Sequence, residues 1–219
     1  MLEGKTIAVL GGTGNLGAAL ARRWAKSGLT VIIGSRSAES AEKAAAELGF
    51  GLTGAANAAA SARADVIVLT VPFAAQAATL ETIREAARGK IVIDTTVPLV
   101  PPRVMRVQLP PEQSAAVRAQ QILGDEVKVI SAFHNVAAHK LMRDDPVECD
   151  VLVFGDEASS RKIGVALAEA AGLRGLHAGA LVNSTAAEAL TSVLIFLNKT
   201  YKVDGAGLKI SGELIPPEL

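Results

Sequence analysis

Short runs of β-branched and other apolar residues alternate with longer alanine-rich stretches over the first two-thirds of the chain. Thr6-Ile7-Ala8-Val9-Leu10 predicts a strand, and a helix follows over residues 15–27 with Leu16, Leu20 and Trp24 four apart on one face. Thr30-Val31-Ile32-Ile33-Gly34 predicts a second strand. A helix then runs to Leu48, capped by Ser37 or Ser40 and ended by Gly49. Residues 65–71 form an apolar strand that stops at Pro72, before a helix over residues 74–88. Further strands are expected over residues 91–93, 127–130 and 151–154, then a helix over 158–171 and a short strand around Leu176. Apolar strands spaced by helices are the pattern of a parallel sheet buried on both faces. The expected fold class is α/β, a Rossmann-type doubly wound parallel sheet.

Two regions break the alternation. Residues 97–111 hold Pro98, Pro101, Pro102, Pro110 and Pro111, too many for regular structure, so a long loop of the kind that often serves as a lid or binding element is expected. Residues 184–202 predict a long helix, and Gly205, Gly207 and Gly212 signal turns after it. The division expected is a nucleotide-binding domain over residues 1–180 and a small C-terminal helical extension over 181–219, packed on the same domain.

Composition narrows the function classes. The 219 residues carry 22 Lys and Arg against 22 Asp and Glu, so no basic excess drives binding to nucleic acid. One cysteine, Cys149, makes no internal disulfide and no cysteine metal cage, and is expected to be a small buried residue. Three scattered histidines give no ligand spacing, so no metal site is expected. The opening residues hold no apolar signal segment, and Glu188 and Lys199 bracket the apolar patch near the C-terminus. The expectation is a soluble, cytoplasmic protein with no membrane partner.

The strongest chemical signal is Gly11-Gly12-Thr13-Gly14-Asn15-Leu16-Gly17, where Gly12-x-Gly14-x-x-Gly17 follows a strand and opens a helix. In a dinucleotide-binding turn the first glycine permits the tight turn, the second lets backbone approach the pyrophosphate and the third lets helix and strand pack closely. Free N–H groups at the helix start then face the phosphates. The second strand ends in Gly34-Ser35-Arg36-Ser37, without the carboxylate that NAD sites use for the ribose 2′-hydroxyl. A guanidinium fork suits a phosphate, so NADP is the expected cofactor.

Other strand ends deliver Thr70-Val71-Pro72-Phe73, Asp94-Thr95-Thr96-Val97 and Ser131-Ala132-Phe133-His134-Asn135 to the same edge. Val71, Pro72 and Val97 shape an apolar slot for the nicotinamide or simply pack the core and end strands. His134 is the best-placed ionisable group and the one weak catalytic candidate, with a structural hydrogen bond as the favoured reading. Asp94 is expected to cap a neighbouring turn. Phe73 and Phe133 are the aromatics nearest the expected cleft. Tyr201, the only tyrosine, is followed four residues later by Gly205, which excludes the Tyr-x-x-x-Lys acid–base pair of short-chain dehydrogenases. Asn183-Ser184-Thr185 likewise lacks the lysine that hydroxyacid dehydrogenases place before their terminal helix. A hydride exchanged between two stacked cofactors needs no such proton donor, because positioning supplies most of the catalysis.

The sequence resembles the coenzyme F420-dependent NADP oxidoreductases over nearly its whole length. The resemblance rests on residues 10–17, on Val31-Ile32-Ile33-Gly34-Ser35-Arg36, and on Leu69-Thr70-Val71-Pro72. It continues through Val97-Pro98, Ser131-Ala132-Phe133-His134, residues 150–156, and Ala178-Gly179-Ala180-Leu181-Val182-Asn183-Ser184 with Glu188. It implies a Rossmann domain with a helical extension, usually a homodimer. It implies NADP held by Thr13, Gly14, Asn15, Leu16, Ser35, Arg36, Val71, Val97 and the segment near Ala137. It also implies coenzyme F420 as second substrate, bordered by His134, Asn135, Leu181, Asn183 and Ser184. Unlike many members, this chain has no basic residue after Arg36 until Lys43, while Arg103 and Arg106 stand in the proline-rich loop. Three readings follow: a deazaflavin reductase, an NADPH reductase of a flavin or ferric chelate, and a non-catalytic NADP-binding regulatory module.

Overall fold

A computed structural model describes residues 1–215 of the chain. The glycine turn joins β1 (Thr6–Leu10) to α1 (Asn15–Lys26). Next come β2 (Thr30–Ser35), α2 (Ala38–Leu48), β3 (Thr53–Ala56), α3 (Asn57–Arg63), β4 (Val66–Leu69), α4 (Phe73–Ala87) and β5 (Ile91–Asp94). The proline-rich segment then leads to α5 (Ala115–Leu123), β6 (Lys128–Ser131) and α6 (Ala138–Leu141). The chain continues through β7 (Asp150–Val153), α7 (Ala158–Ala170), β8 (Arg174–His177) and a 3-10 turn (Leu181–Asn183) into α8 (Ser184–Tyr201).

Six strands form one parallel sheet in the order β3-β2-β1-β4-β5-β6. Every carboxyl end therefore lies on the same edge, and the order reverses between β1 and β4, the position where doubly wound sheets hold ligands. Alternation along β1 fills both layers. Ile7 and Val9 join Leu20, Trp24 and Ile33 on one face, while Ala8 and Leu10 join Ile67, Leu80 and Ile83 on the other. Trp24 is fully buried, and its indole N–H donates to the Leu167 carbonyl at 2.8 Å. Its ring meets Phe133 edge-on, with centroids 5.8 Å apart. Phe133, expected near the cleft, is thus a core residue, 1% exposed.

The structure departs from the expected elements in three places. β3, α3, α5 and α6 carry no strong signal: Thr-Gly-Ala-Ala is a strand without a β-branched run, and α3 is one short stretch of small residues. The irregular segment is as long as expected and longer, reaching from β5 to Ser114, which caps α5 through its hydroxyl. β7 and β8 form their own two-stranded parallel ladder, tied to the main sheet by an antiparallel bridge between Ser131 and Phe154. Asp150 at the start of β7 anchors this ladder. It accepts both arms of the Arg174 guanidinium at 2.7 and 2.6 Å and the Ile210 N–H at 2.6 Å.

Leu181–Tyr201 is long and apolar enough by composition to cross a bilayer. Its polar residues Ser184, Glu188 and Ser192 are nonetheless buried with Ala187 and Leu194 against the rest of the protein. It is a packed helix whose inner face carries hydrogen bonds.

Candidate cofactor site

The glycine turn is shaped by what a side chain would strike. The positive φ of +79° falls on Gly11, ahead of the three motif glycines, so the tight turn belongs to Gly11 and not to Gly12 as the motif predicts. Gly12 is required for closeness instead, since a Cβ there would lie 2.8 Å from the Val9 carbonyl oxygen. Gly17 packs α1 onto the strands as expected, because a Cβ would stand 2.4 Å from Thr70 Oγ1. That hydroxyl is itself fixed by donation to the Leu10 carbonyl at 2.9 Å. No side chain caps α1 at Gly14, and Thr13, Gly14 and Asn15 are exposed, so the first N–H groups of the helix are open to an anion.

A cavity of about 490 Å³ lies at this turn. Gly11, Thr13 and Gly14 form one wall, Ser35 and Arg36 a second, and Thr70, Val71 and Pro72 a third. The structure therefore gathers the three sequence-separated signals into one concavity across the β1–β4 switch. Arg36 is exposed and has no ion-pair partner among the described residues. Ser37 caps α2 by accepting from the Ser40 N–H at 3.3 Å, which leaves its hydroxyl proton free to donate. Asn57, Ala74, Ala75 and Thr79 also line the cavity and were not singled out from sequence. They follow strand ends, but Asn57 is hidden among alanines behind a strand that the pattern does not show.

Of the other expected site residues, Asn15, Leu16 and Gly17 open α1 directly after the glycine turn, with Asn15 exposed, and Val97 lies half-buried beyond β5. Ala137, expected near the cofactor, lines a second cavity of about 210 Å³ with Lys140, Cys149 and Gly205. Cys149 is buried as expected, with its thiol pushed up by burial.

The side chains expected to border the second ring mostly hold α8 to the sheet. His134 is 8% exposed, its Nε2 lies 2.9 Å from Ser131 Oγ, and burial lowers its pKa to about 4. A buried, neutral imidazole bonded to a serine fits the structural reading and offers no proton near neutral pH. Asn135 donates to the Ala187 carbonyl at 3.0 Å and to Thr191 Oγ1 at 3.1 Å. Leu181 and Ser184 are buried, and Ser184 Oγ sits 2.6 Å from Ser114 Oγ. Asn183 and Val182 alone of that turn are exposed.

Beside them lies a polar cluster whose long-range bonds the sequence does not show. Glu188 is 1% exposed and accepts from Ser114 Oγ at 2.8 Å and from the Ala115 and Ala116 N–H groups at 2.7 and 3.2 Å. It thus closes the N-terminus of α5 from another helix, and burial still pushes its carboxyl up to about 7. Asp94 is fully buried and accepts from Gln76 Nε2 at 2.5 Å and from the Thr96 N–H at 3.0 Å, the turn cap expected of it. Burial raises its carboxyl to about 6.

Comparison with known proteins agrees with this geometry. Residues 6–98 match the sequence profile of the family described as NADP oxidoreductase coenzyme F420-dependent. The chain is 41% identical over 218 residues to the F420-dependent NADP reductase of Methanothermobacter thermautotrophicus, covering 94% of each chain. It is 38% identical over 220 residues to that of Methanocaldococcus jannaschii, covering 94% of this chain and 97% of the relative. A crystal structure from Arthrobacter sp. FB24, provisionally named an F420-dependent NADP reductase, superposes with a TM-score of 0.82 at 28% identity, covering 95% of this chain and 100% of that one. The NADP-bound pyrroline carboxylate reductase of Plasmodium falciparum shares the fold at a TM-score of 0.57 and 14% identity, with 81% of this chain and 59% of that one aligned. Identity near two-fifths across almost the full length, with the glycine turn and the Ser35-Arg36 pair meeting in one cavity, makes this chain a member of the coenzyme F420-dependent NADP oxidoreductase family.

Proposed function

We propose that the protein transfers a hydride between NADP(H) and coenzyme F420, with the 490 Å³ cavity as the nicotinamide dinucleotide site. The observation that carries the reading is the convergence of the open α1 N-terminus and the unpaired Arg36 on one cavity without a carboxylate at the end of β2. Gly12, Thr13, Gly14, Asn15 and Leu16 present backbone to the pyrophosphate, and Gly17 sets the helix close enough to do so. Ser35, Arg36 and Ser37 hold the 2′-phosphate. Val71, Pro72 and Val97 give the nicotinamide an apolar wall. Bound there, NADPH supplies a hydride, and reduction of the deazaflavin takes up one further proton from solvent.

The protein's part is placement and exclusion of water. Buried, neutral His134 acts through its contact with Ser131 and is not a proton donor. Val182 and Asn183, exposed at the turn before α8, border the second ring, while Leu181, Ser184, His134 and Asn135 hold that turn in place. Residues 1–180 serve as the NADP domain, and the extension after residue 180 completes the deazaflavin side.

A homodimer joined through α8 fits the stripe of Ala186, Ala189, Val193 and Phe196, exposed but for half-buried Ala189 and spaced three and four residues apart as in helix pairs. The setting proposed is cytoplasmic. The decisive experiment mixes purified protein with NADPH and coenzyme F420 and follows both chromophores. Loss of NADPH only when the deazaflavin is present supports the reading. Turnover with free flavin or ferric chelate alone, or binding without turnover, overturns it. Light scattering of the wild type and of Phe196→Glu tests the dimer.

A further inference from the structure

We infer that Asn57 is a specificity-determining residue of the cofactor site, its side-chain amide bonding the ribose that carries the 2′-phosphate. The inference rests on the cavity being the NADP site, as proposed above. Register places Asn57 there: Ser35 pairs with Ala56 across β2 and β3, so the residue after Ala56 stands beside Ser35 and Arg36 at the same sheet edge. Asn57 is 8% exposed and lines the cavity with both of them. Its Oδ1 is fully buried without a partner, and no other hydrogen bond of its side chain exists among the described residues. That oxygen is turned to β2, where a Cβ on Gly34 would stand 2.9 Å from it.

A buried amide oxygen with no bond is destabilising by itself and calls for an explanation, which a ligand beside it in the cavity supplies. The chemistry of that partner follows from the amide having one donor end and one acceptor end. A ribose bearing a 2′-phosphate offers an acceptor at the phosphate and a donor at the 3′-hydroxyl. The Nδ2 end of Asn57, the end not sealed against β2, matches the phosphate acceptor. A carboxylate, two acceptors with a negative charge, would match the two hydroxyls of an unphosphorylated ribose and repel the phosphate. Asn57 thereby adds to Arg36 a neutral second reader of the phosphorylated ribose, in a chain that has no further basic residue until Lys43.

The test titrates full-length protein with adenosine 2′,5′-bisphosphate and with ADP by calorimetry. Asn57→Ala is expected to weaken the bisphosphate about tenfold and ADP less. Asn57→Asp is expected to weaken the bisphosphate about a hundredfold and to leave ADP unchanged or tighter. In turnover, KM for NADPH rises in both variants while kcat and the KM for F420 stay at wild-type values. Unchanged bisphosphate binding in both variants overturns the inference, and so does an equal loss for the two ligands. Arg36→Ala, run alongside, separates the levels: if it also leaves bisphosphate binding intact, the site assignment itself fails. Should a variant fail to fold, the side-chain amide resonance of Asn57 in wild-type protein must shift on adding the bisphosphate. An unmoved resonance overturns the inference equally.

Discussion

The cofactor turn and the seam beneath α8 sit on the same edge of one sheet and are built in opposite ways. The turn is backbone: seven consecutive residues, glycines where a Cβ would collide, and polar groups left open toward a cavity. The seam is side chain: Glu188 reaches Ser114, 74 positions away, and Asn135 reaches Thr191, 56 positions away. Glu188, Ser114, Asn135 and Thr191 are each answered by protein. Open polar groups mark where a ligand completes the structure, whereas answered ones hold elements together. The contrast explains why Asn57, with nothing to bond, belongs to the first region, and why His134, despite its promising position, belongs to the second.

The comparison can be broken by substitution, and the seam should give the largest effect on stability. Glu188→Ala strands the Ala115 N–H in the interior and takes one acceptor each from Ser114 and the Ala116 N–H, which keep Ser184 and Ser114, with an expected loss of about 2–4 kcal/mol read by thermal or urea unfolding. A melting point like that of wild type would remove Glu188 from the structural role given to it.

The same carboxyl sets a pH signature. Its native pKa, about 7, lies above the ordinary 4.5, so the native state binds the proton more tightly. Stability from this group is fully present below pH 4.5 and is lost as pH rises through 7. Asp94, raised from 3.8 to about 6, acts in the same direction over the lower part of that window. Asp150 opposes them: the Arg174 side-chain bond depresses its pKa, so its contribution is lost as pH falls. Glu188→Gln should flatten the decline between pH 4.5 and 7 in melting curves, and an unchanged slope would refute the assignment.

The cofactor turn should respond in binding and not in stability. Arg36→Ala is expected to raise KM for NADPH about thirtyfold, to leave NADH nearly untouched and to keep the melting point. Equal losses for both nucleotides would show that Arg36 does not read the 2′-phosphate. His134→Asn sharpens the division from the other side. It should lower stability by about 1–2 kcal/mol through the lost Ser131 contact while kcat stays within about threefold. A large fall in kcat with unchanged stability would return His134 to the catalytic role. Smallest is Ser37→Ala, with an expected cap loss of about 0.5–1 kcal/mol and a modest rise in KM for NADPH.

Much of this was legible in the sequence because it is local. The strand-turn-helix glycines, Ser35-Arg36 at a strand end, the cap at Ser37 and the turn at Asp94 each depend on residues within a few positions of one another. Periodicity likewise determined the parallel α/β class, since apolar strands between amphipathic helices have few other ways to bury themselves. Tertiary structure alone decided what depends on distant partners. It buried Phe133 against Trp24, split β7 and β8 from the main sheet and turned His134, Asn135, Leu181 and Ser184 inward. β3 escaped notice because Thr-Gly-Ala-Ala has no pattern of its own, and Asn57 with it; their place comes from Gly54 packing against α2 and from the register with β2. A chain specifies its backbone turns by composition at neighbouring sites, but a buried polar group acquires its role only from whatever the fold sets opposite it.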